Sequence, residues 1–354
     1  MKKTFKFLVV TLFAAALLVA CGGGETSGKD AGFKVVVVLD SGGVDDKSFN
    51  QSAWEGTLRF IEENGLDSNT ASYLSSKDDG SDYVSNLEAA SEDAELVIAV
   101  GFLFEKALQE VAAKYPDTEY LFIDAGLNPE LPNVHSATFA EEEGGYLVGL
   151  VAGLRSKEDG SNLVGFIGGV DNNPVINAFQ SGYEAGVWAT NPDAKIAVEY
   201  ANSFEDTSKG TALATKIYGE GANIIFHAAG NVGNGVISEA LNYEDKFVIG
   251  VDRDQYEDGL NKDGRSVILT SMLKSVDVSS FEFLQEFLDN KKIESKHYYF
   301  DVKSGGIGAE LTEDRNLKAE EIALVKEHID KIKNDEVTLT KDPVIKNGTT
   351  GTRP

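Results

Sequence analysis

The chain has 354 residues, with 58 acidic against 32 basic side chains and a formal net charge of −26. So negative a balance argues against nucleic-acid binding, which needs basic patches, and one cysteine with four scattered histidines leaves no metal-ligand spacing. From Phe33 onward about 320 residues remain, the length of about two domains with apolar sequence enough for two cores.

Lys2, Lys3 and Lys6 precede an apolar run from Phe7 to Ala20 that only Thr11 interrupts. Its length suits the h-region of a secretory signal and is short of the ~20 apolar residues of a spanning helix. No polar face recurs in it at helical spacing, which argues against a buried core helix. The run ends at Leu18-Val19-Ala20-Cys21, and Cys21 has no disulfide partner in its own chain. This ending resembles a bacterial lipobox, in which the cysteine carries the lipid (palmitate among its acyl groups) and becomes the mature N-terminus. The resemblance implies a signal peptide over 1–20 and a lipoprotein anchored through Cys21. Residues 21–32, with Gly22-Gly23-Gly24 and Gly28, read as a flexible tether. The folded part is thus expected beside the cell membrane, on its extracytoplasmic face, touching it through the lipid alone.

Short β-branched runs then alternate with helical patterns. Phe33–Leu39 is a near-continuous apolar strand, and residues 51–64 read as a helix with Trp54, Leu58 and Ile61 on one stripe. Strands follow at Ala71–Leu74, Leu96–Val100, Tyr120–Ile123 and Val134–Phe139, with helices such as Phe104–Lys114 between them. After a helix over 141–155 the pattern restarts at Leu163–Ile167, Ile196–Tyr200, Asn223–His227, Phe247–Val251 and Ser266–Thr270. Strands apolar throughout belong to parallel sheets covered by helices on both faces. The fold class is α/β, with two doubly wound Rossmann-like lobes: lobe 1 over 33–155 with about 271–297 returning to it, and lobe 2 over 156–270 with about 298–350. The tail from Asn334 is expected to be loop or loosely packed.

In such sheets ligands lie outside the carboxyl ends of the strands. Strand one leads into Asp40-Ser41-Gly42-Gly43-Val44-Asp45-Asp46-Lys47-Ser48-Phe49-Asn50-Gln51. Asp40 can accept hydroxyl hydrogen bonds, Phe49 offers a flat face, and Asn50 and Gln51 supply amides; the plain alternative is a βα loop in which Asp45 or Ser48 caps the helix. Other strands end near Phe102, at Asp124, at Phe226-His227-Ala228-Ala229-Gly230, at Asp252 and at Thr270-Ser271-Met272-Leu273-Lys274. Carboxylates, amides and rings together suit a neutral, flat, hydroxyl-rich ligand such as a nucleoside. No phosphate-binding loop or dinucleotide fingerprint is present, and the glycines at 230, 233 and 235 read as a close-approach turn.

The Asp40–Asn50 segment resembles the signature of the basic membrane protein family, nucleoside-binding lipoproteins of bacterial ABC transporters related to the spirochaetal purine nucleoside receptor. Glu143–Gly149, Gly165–Gly169, Phe226–Gly230, Gly250–Gln255 and Leu269–Lys274 resemble further family blocks in order. The resemblance implies a type I periplasmic-binding-protein-like fold, with Phe49 and Phe226 sandwiching the base. It gives Asp124, Asn50 and Gln51 base-side or cleft roles, Asp252 and Lys274 sugar contacts, and places Asp40, Phe102 and Gly230 along the cleft. Asn231-Val232 and Asp171-Asn172-Asn173-Pro174 depart from the family pattern, which bears on base preference. The expected protein is a monomeric binding protein without cofactor, which captures a nucleoside, a purine one on this reading, and hands it to a permease after hinge closure. A sugar or other small-molecule receptor of the same fold is the nearest alternative. A secreted nucleoside hydrolase is the enzymatic one, disfavoured because Asp45 and Asp46 are adjacent and no nucleophile elbow is present. A surface adhesin is the third class.

Overall fold

The computed structural model describes residues 28–294 and 296–354. The expected signal peptide, Cys21 and the tether up to residue 27 lie outside the described residues. The end of the tether is tied down: the Lys29 N–H donates to the Gly65 carbonyl at 2.8 Å, and the Lys29 carbonyl accepts from Asp67 at 3.0 Å.

The chain runs β1 (Val35–Leu39), α1 (Phe49–Glu63), β2 (Ala71–Ser75), α2 (Tyr83–Asp93), β3 (Leu96–Val100), α3 (Glu105–Lys114), β4 (Glu119–Ile123) and β5 (Val134–Phe139). It continues as α4 (Glu141–Glu158), β6 (Leu163–Gly168), α5 (Pro174–Thr190), β7 (Lys195–Tyr200), α6 (Thr207–Gly219), β8 (Ile224–Ala228), α7 (Asn231–Ala240), β9 (Phe247–Asp252) and β10 (Ile268–Lys274). Last come α8 (Val276–Asn290), β11 (His297–Phe300), β12 (Ile307–Ala309), α9 (Ala319–Lys333) and β13 (Thr349–Gly351). Two sheets result, in the orders β11-β5-β4-β3-β1-β2 and β12-β10-β9-β8-β6-β7-β13.

β1 shows why the apolar runs become central parallel strands. Val35, Val37 and Leu39 enter the core that includes Phe60 and Phe283, while Val36 and Val38 face the cluster with Leu87 and Leu108. Both faces are covered, so neither parity can be polar. In each sheet the order reverses beside the first strand, between β1 and β3 and between β6 and β8. Such reversals are where open α/β sheets leave a crevice.

The lobe boundaries differ from the expected ones. Helix α4, placed with lobe 1 from sequence, packs against α5 of lobe 2, so closely that a Cβ on Gly149 would come within 2.5 Å of the Tyr183 carbonyl oxygen. Strand β10 pairs with β9 as far as Leu273 and with β12 at Lys274, so the return to lobe 1 begins at α8 rather than at residue 271. Strand β11 pairs in parallel with β5, which puts 298–300 in lobe 1 instead of lobe 2. The chain therefore crosses between lobes at Ala140, at Ser275 and just after Phe300. Ala140 donates to the Phe300 carbonyl at 2.9 Å and Val302 donates to the Glu143 carboxylate at 2.8 Å, which ties two crossings together.

The tail is also better held than its composition suggests. Glu184 on α5 accepts from the N–H groups of Val344 (2.7 Å) and Ile345 (3.1 Å), and Gln180 donates to the Ile345 carbonyl at 2.7 Å. Buried polar groups need such partners, and the tail supplies them before β13 pairs antiparallel with β7.

Candidate functional site

Asp46 organises the entry to α1. Its carboxylate accepts from the backbone N–H groups of Ser48 (2.9 Å), Asn50 (2.9 Å) and Gln51 (3.0 Å). The cap is thus Asp46, not Asp45 or Ser48, since Ser48 makes no side-chain cap hydrogen bond. Ser48 instead donates its hydroxyl to Asp252 across the interlobe gap. Asn50 donates through Nδ2 to Asp40 Oδ1 (3.0 Å) and to the Ser41 carbonyl (3.2 Å). Burial pushes the Asp40 carboxyl well above its ordinary value, with the Asn50 hydrogen bond opposing.

Asp40, Ser41, Asp46, Phe49, Asn50, Phe102 and Asp124 of lobe 1 face Val175, Ile176, Phe179, Phe204, Ala228–Gly230, Val251, Asp252 and Lys274 of lobe 2 across a cavity of about 470 Å³, counting its part open to solvent. Several of these are held in the left-handed region: Asp124 at φ +72°, Asp252 at +67° and Gly230 at +53°. Aspartate tolerates that region better than most side chains. At Gly230 a Cβ would lie 3.3 Å from the Phe204 carbonyl oxygen, so glycine lets the two loops approach.

Lys274 is 2% exposed and stands among acids and rings. Its Nζ donates to Asp124 Oδ2 at 2.8 Å, lies 2.7 Å from Oδ1 and 3.2 Å from Glu141 Oε1. The Oδ1 atom feels the charge without a well-directed hydrogen bond. The ammonium also sits 5.1, 4.7 and 5.3 Å from the ring centres of Phe49, Phe139 and Phe179, a cation–π setting. Burial alone would discharge the lysine, but Asp124, Glu141 and Asp252 outweigh it and keep it protonated. Burial pushes Glu141 up to about 7 and Asp252 up to about 6, in both cases against the pull of Lys274.

Two expected site residues lie elsewhere. Phe226 is fully buried, with Phe166, Tyr183 and Phe179 at centroid distances of 5.7, 5.3 and 6.3 Å. It lies in the middle of β8, two residues before the strand ends, and its parity turns it into the α4–α5 core. Ala228 to Gly230 reach the cleft in its place. Gln51 is turned along α1, where its Nε2 donates to Glu55 at 2.8 Å. The second lobe's cleft rings are Phe204 and Phe179, which sequence reasoning missed. Phe204 lies just past the end of β7 and meets Phe102 of lobe 1 edge-on, with centroids 6.0 Å apart. That position beyond a strand end is a signal that could have found it; Phe179, inside α5, carried none.

Two doubly wound lobes, three crossings and an interlobe cavity define a two-lobed solute-binding protein of the type I periplasmic-binding-protein fold. Residues 33–342 match the family described as ABC transporter substrate-binding protein, PnrA-like, and the chain belongs to that family. Such proteins bind rather than transform their ligand, acting outside the cytoplasm with a membrane permease. The chain is similar to the CD4+ T-cell-stimulating antigen of Listeria innocua, 37% identical over 97% of this chain and 99% of that one. It is 34% identical to the ABC transporter nucleoside-binding protein BmpA of Lactococcus lactis over 86% of this chain and 90% of that one. A solved ABC transporter solute-binding protein from Aeropyrum pernix superimposes with a TM-score of 0.73 and 26% identity, over 87% of this chain and 93% of that one. Among the described residues no helix is long and apolar enough to cross a membrane.

Proposed function

We propose that this protein captures nucleosides, purine nucleosides foremost, for an ABC importer by closing its lobes around them, tethered to the membrane by a lipid on Cys21. The carrying observation is the composition of the cleft: rings from both lobes beside buried polar atoms that lack a protein partner. Ser41 Oγ and Asn50 Oδ1 are buried without one, and both line the cavity. Such atoms cost stability unless a ligand satisfies them. Phe49 from lobe 1 and Phe204 from lobe 2, rather than Phe226, are the rings for the base. Asn50, Asp40 and Asp124 serve the base side, and Asp252 with Lys274 serves the sugar hydroxyls. The nucleoside-binding name of the Lactococcus lactis relative agrees with this reading.

Calorimetry with inosine, guanosine, adenosine, uridine, free bases and ribose tests it. Nucleosides should bind, and Phe49→Ala or Phe204→Ala should each cost about 1–3 kcal/mol of affinity. Ribose binding as tightly as inosine, or no loss in either variant, would reject the ring-stacking site. The mass of the mature N-terminus checks the lipid on Cys21.

A further inference from the structure

We infer that Glu141 is a positioning residue that keeps the Lys274 ammonium in the lobe 2 half of the cleft when the lobes part, and so sets how readily they close. The inference rests on the hinge-closing reading above.

Lys274 has two carboxylate partners that belong to different bodies. Asp124 directly follows β4 in lobe 1, and its oxygens lie 2.7 and 2.8 Å from Nζ. Glu141 opens α4, immediately past the Ala140 crossing, and its Oε1 lies 3.2 Å away. Lys274 is the last residue of β10, paired with Ile307 on β12, immediately before the Ser275 crossing. Glu141 and Lys274 therefore both ride with lobe 2, whereas Asp124 leaves with lobe 1. Glu141 is 3% exposed and does not line the cavity, so it acts through the lysine and not on the ligand.

An ammonium among phenyl rings cannot be left without a counter-charge when its closed-state partner withdraws. Glu141 supplies one that travels with it, which lowers the cost of opening. Asp252, also of lobe 2, adds a longer-range attraction, but Glu141 is the carboxylate in direct contact with Nζ that stays with lobe 2. The two acids then act in opposite senses: Asp124 favours the closed form, and Glu141 favours the open one.

The test is Glu141→Gln against Asp124→Asn in the full chain. Ligand-free radius of gyration by small-angle scattering, and inosine dissociation by stopped flow, are measured for both variants. The expected order of radius is E141Q below wild type below D124N. Dissociation should be at least about threefold slower in E141Q and faster in D124N, since closure differences convert directly into apparent affinity. Should E141Q not fold, Glu141→Asp, with its shorter reach, should shift both quantities the same way by less. If neither quantity moves, or both move in the D124N direction, the inference is overturned. If inosine binds none of the proteins, the nucleoside reading fails, and the order of radii alone still decides the role of Glu141.

Discussion

Lys274→Met isolates the electrostatics of the cleft. Methionine replaces the stem but removes the positive charge that faces Asp124, Glu141 and Asp252 together. Breaking a buried pair by removing one partner typically costs about 3–5 kcal/mol, because the remaining charge is stranded. Here the stranded groups can take up protons, so the loss depends on pH. Glu141 at about 7 and Asp252 at about 6 are raised above their ordinary values even with the lysine present, and its removal raises them further. A carboxyl raised in the folded state binds more protons folded than unfolded. Its contribution is full below the unfolded pKa near about 4 and is lost as pH rises through the folded value. Wild-type stability should accordingly fall between about pH 4 and 7 from these two groups. The K274M deficit should approach about 3–5 kcal/mol at pH 8 and be smaller at pH 5, where Glu141 and Asp252 are mostly neutral. Urea midpoints of both proteins at the two pH values measure it. An equal deficit at both, or a larger one at pH 5, would refute the account.

Phe226→Ala should cost about 3–5 kcal/mol of stability through a core cavity, whereas Phe204→Ala should leave thermal stability within about 1 kcal/mol and lower ligand affinity instead; melts and calorimetry on both variants separate the two roles. Gly101→Ala should weaken ligand binding, because its Cβ would lie 2.2 Å from Asp40 Oδ2 at a backbone φ of +113°. Calorimetry showing wild-type affinity would remove Asp40 from the site. Glu184→Ala leaves the N–H groups of Val344 and Ile345 without their acceptor, so limited proteolysis should cleave near residue 344 faster than in the wild type. Equal cleavage would show the tail to be held by other contacts.

The α/β class and the two-lobe organisation are legible in the sequence because each depends on a local pattern, a β-branched strand and then an amphipathic helix. The same locality places most of the cleft. Asp40, Phe49, Asn50, Phe102, Asp124, Gly230, Asp252 and Lys274 stand out because they end strands or lie just beyond them, and they all line the interlobe cavity. Phe226 stood out by the same strand-end position and through the family resemblance, but the parity of β8 turns it into the core.

The amino-acid order by itself therefore determined most of the elements and the ends at which ligand chemistry gathers, since hydrophobic period and turn residues act over a few positions. Tertiary structure alone decided to which sheet α4, β10 and β11 belong, that Phe204 and Phe179 complete the aromatic wall, and that Glu141 shares an ammonium with Asp124. Those facts depend on groups far apart in the chain, 150 residues in the Lys274–Asp124 pair and 161 in the His297–Ser136 pair. Burial and charge compensation select such partners only once the lobes have packed together.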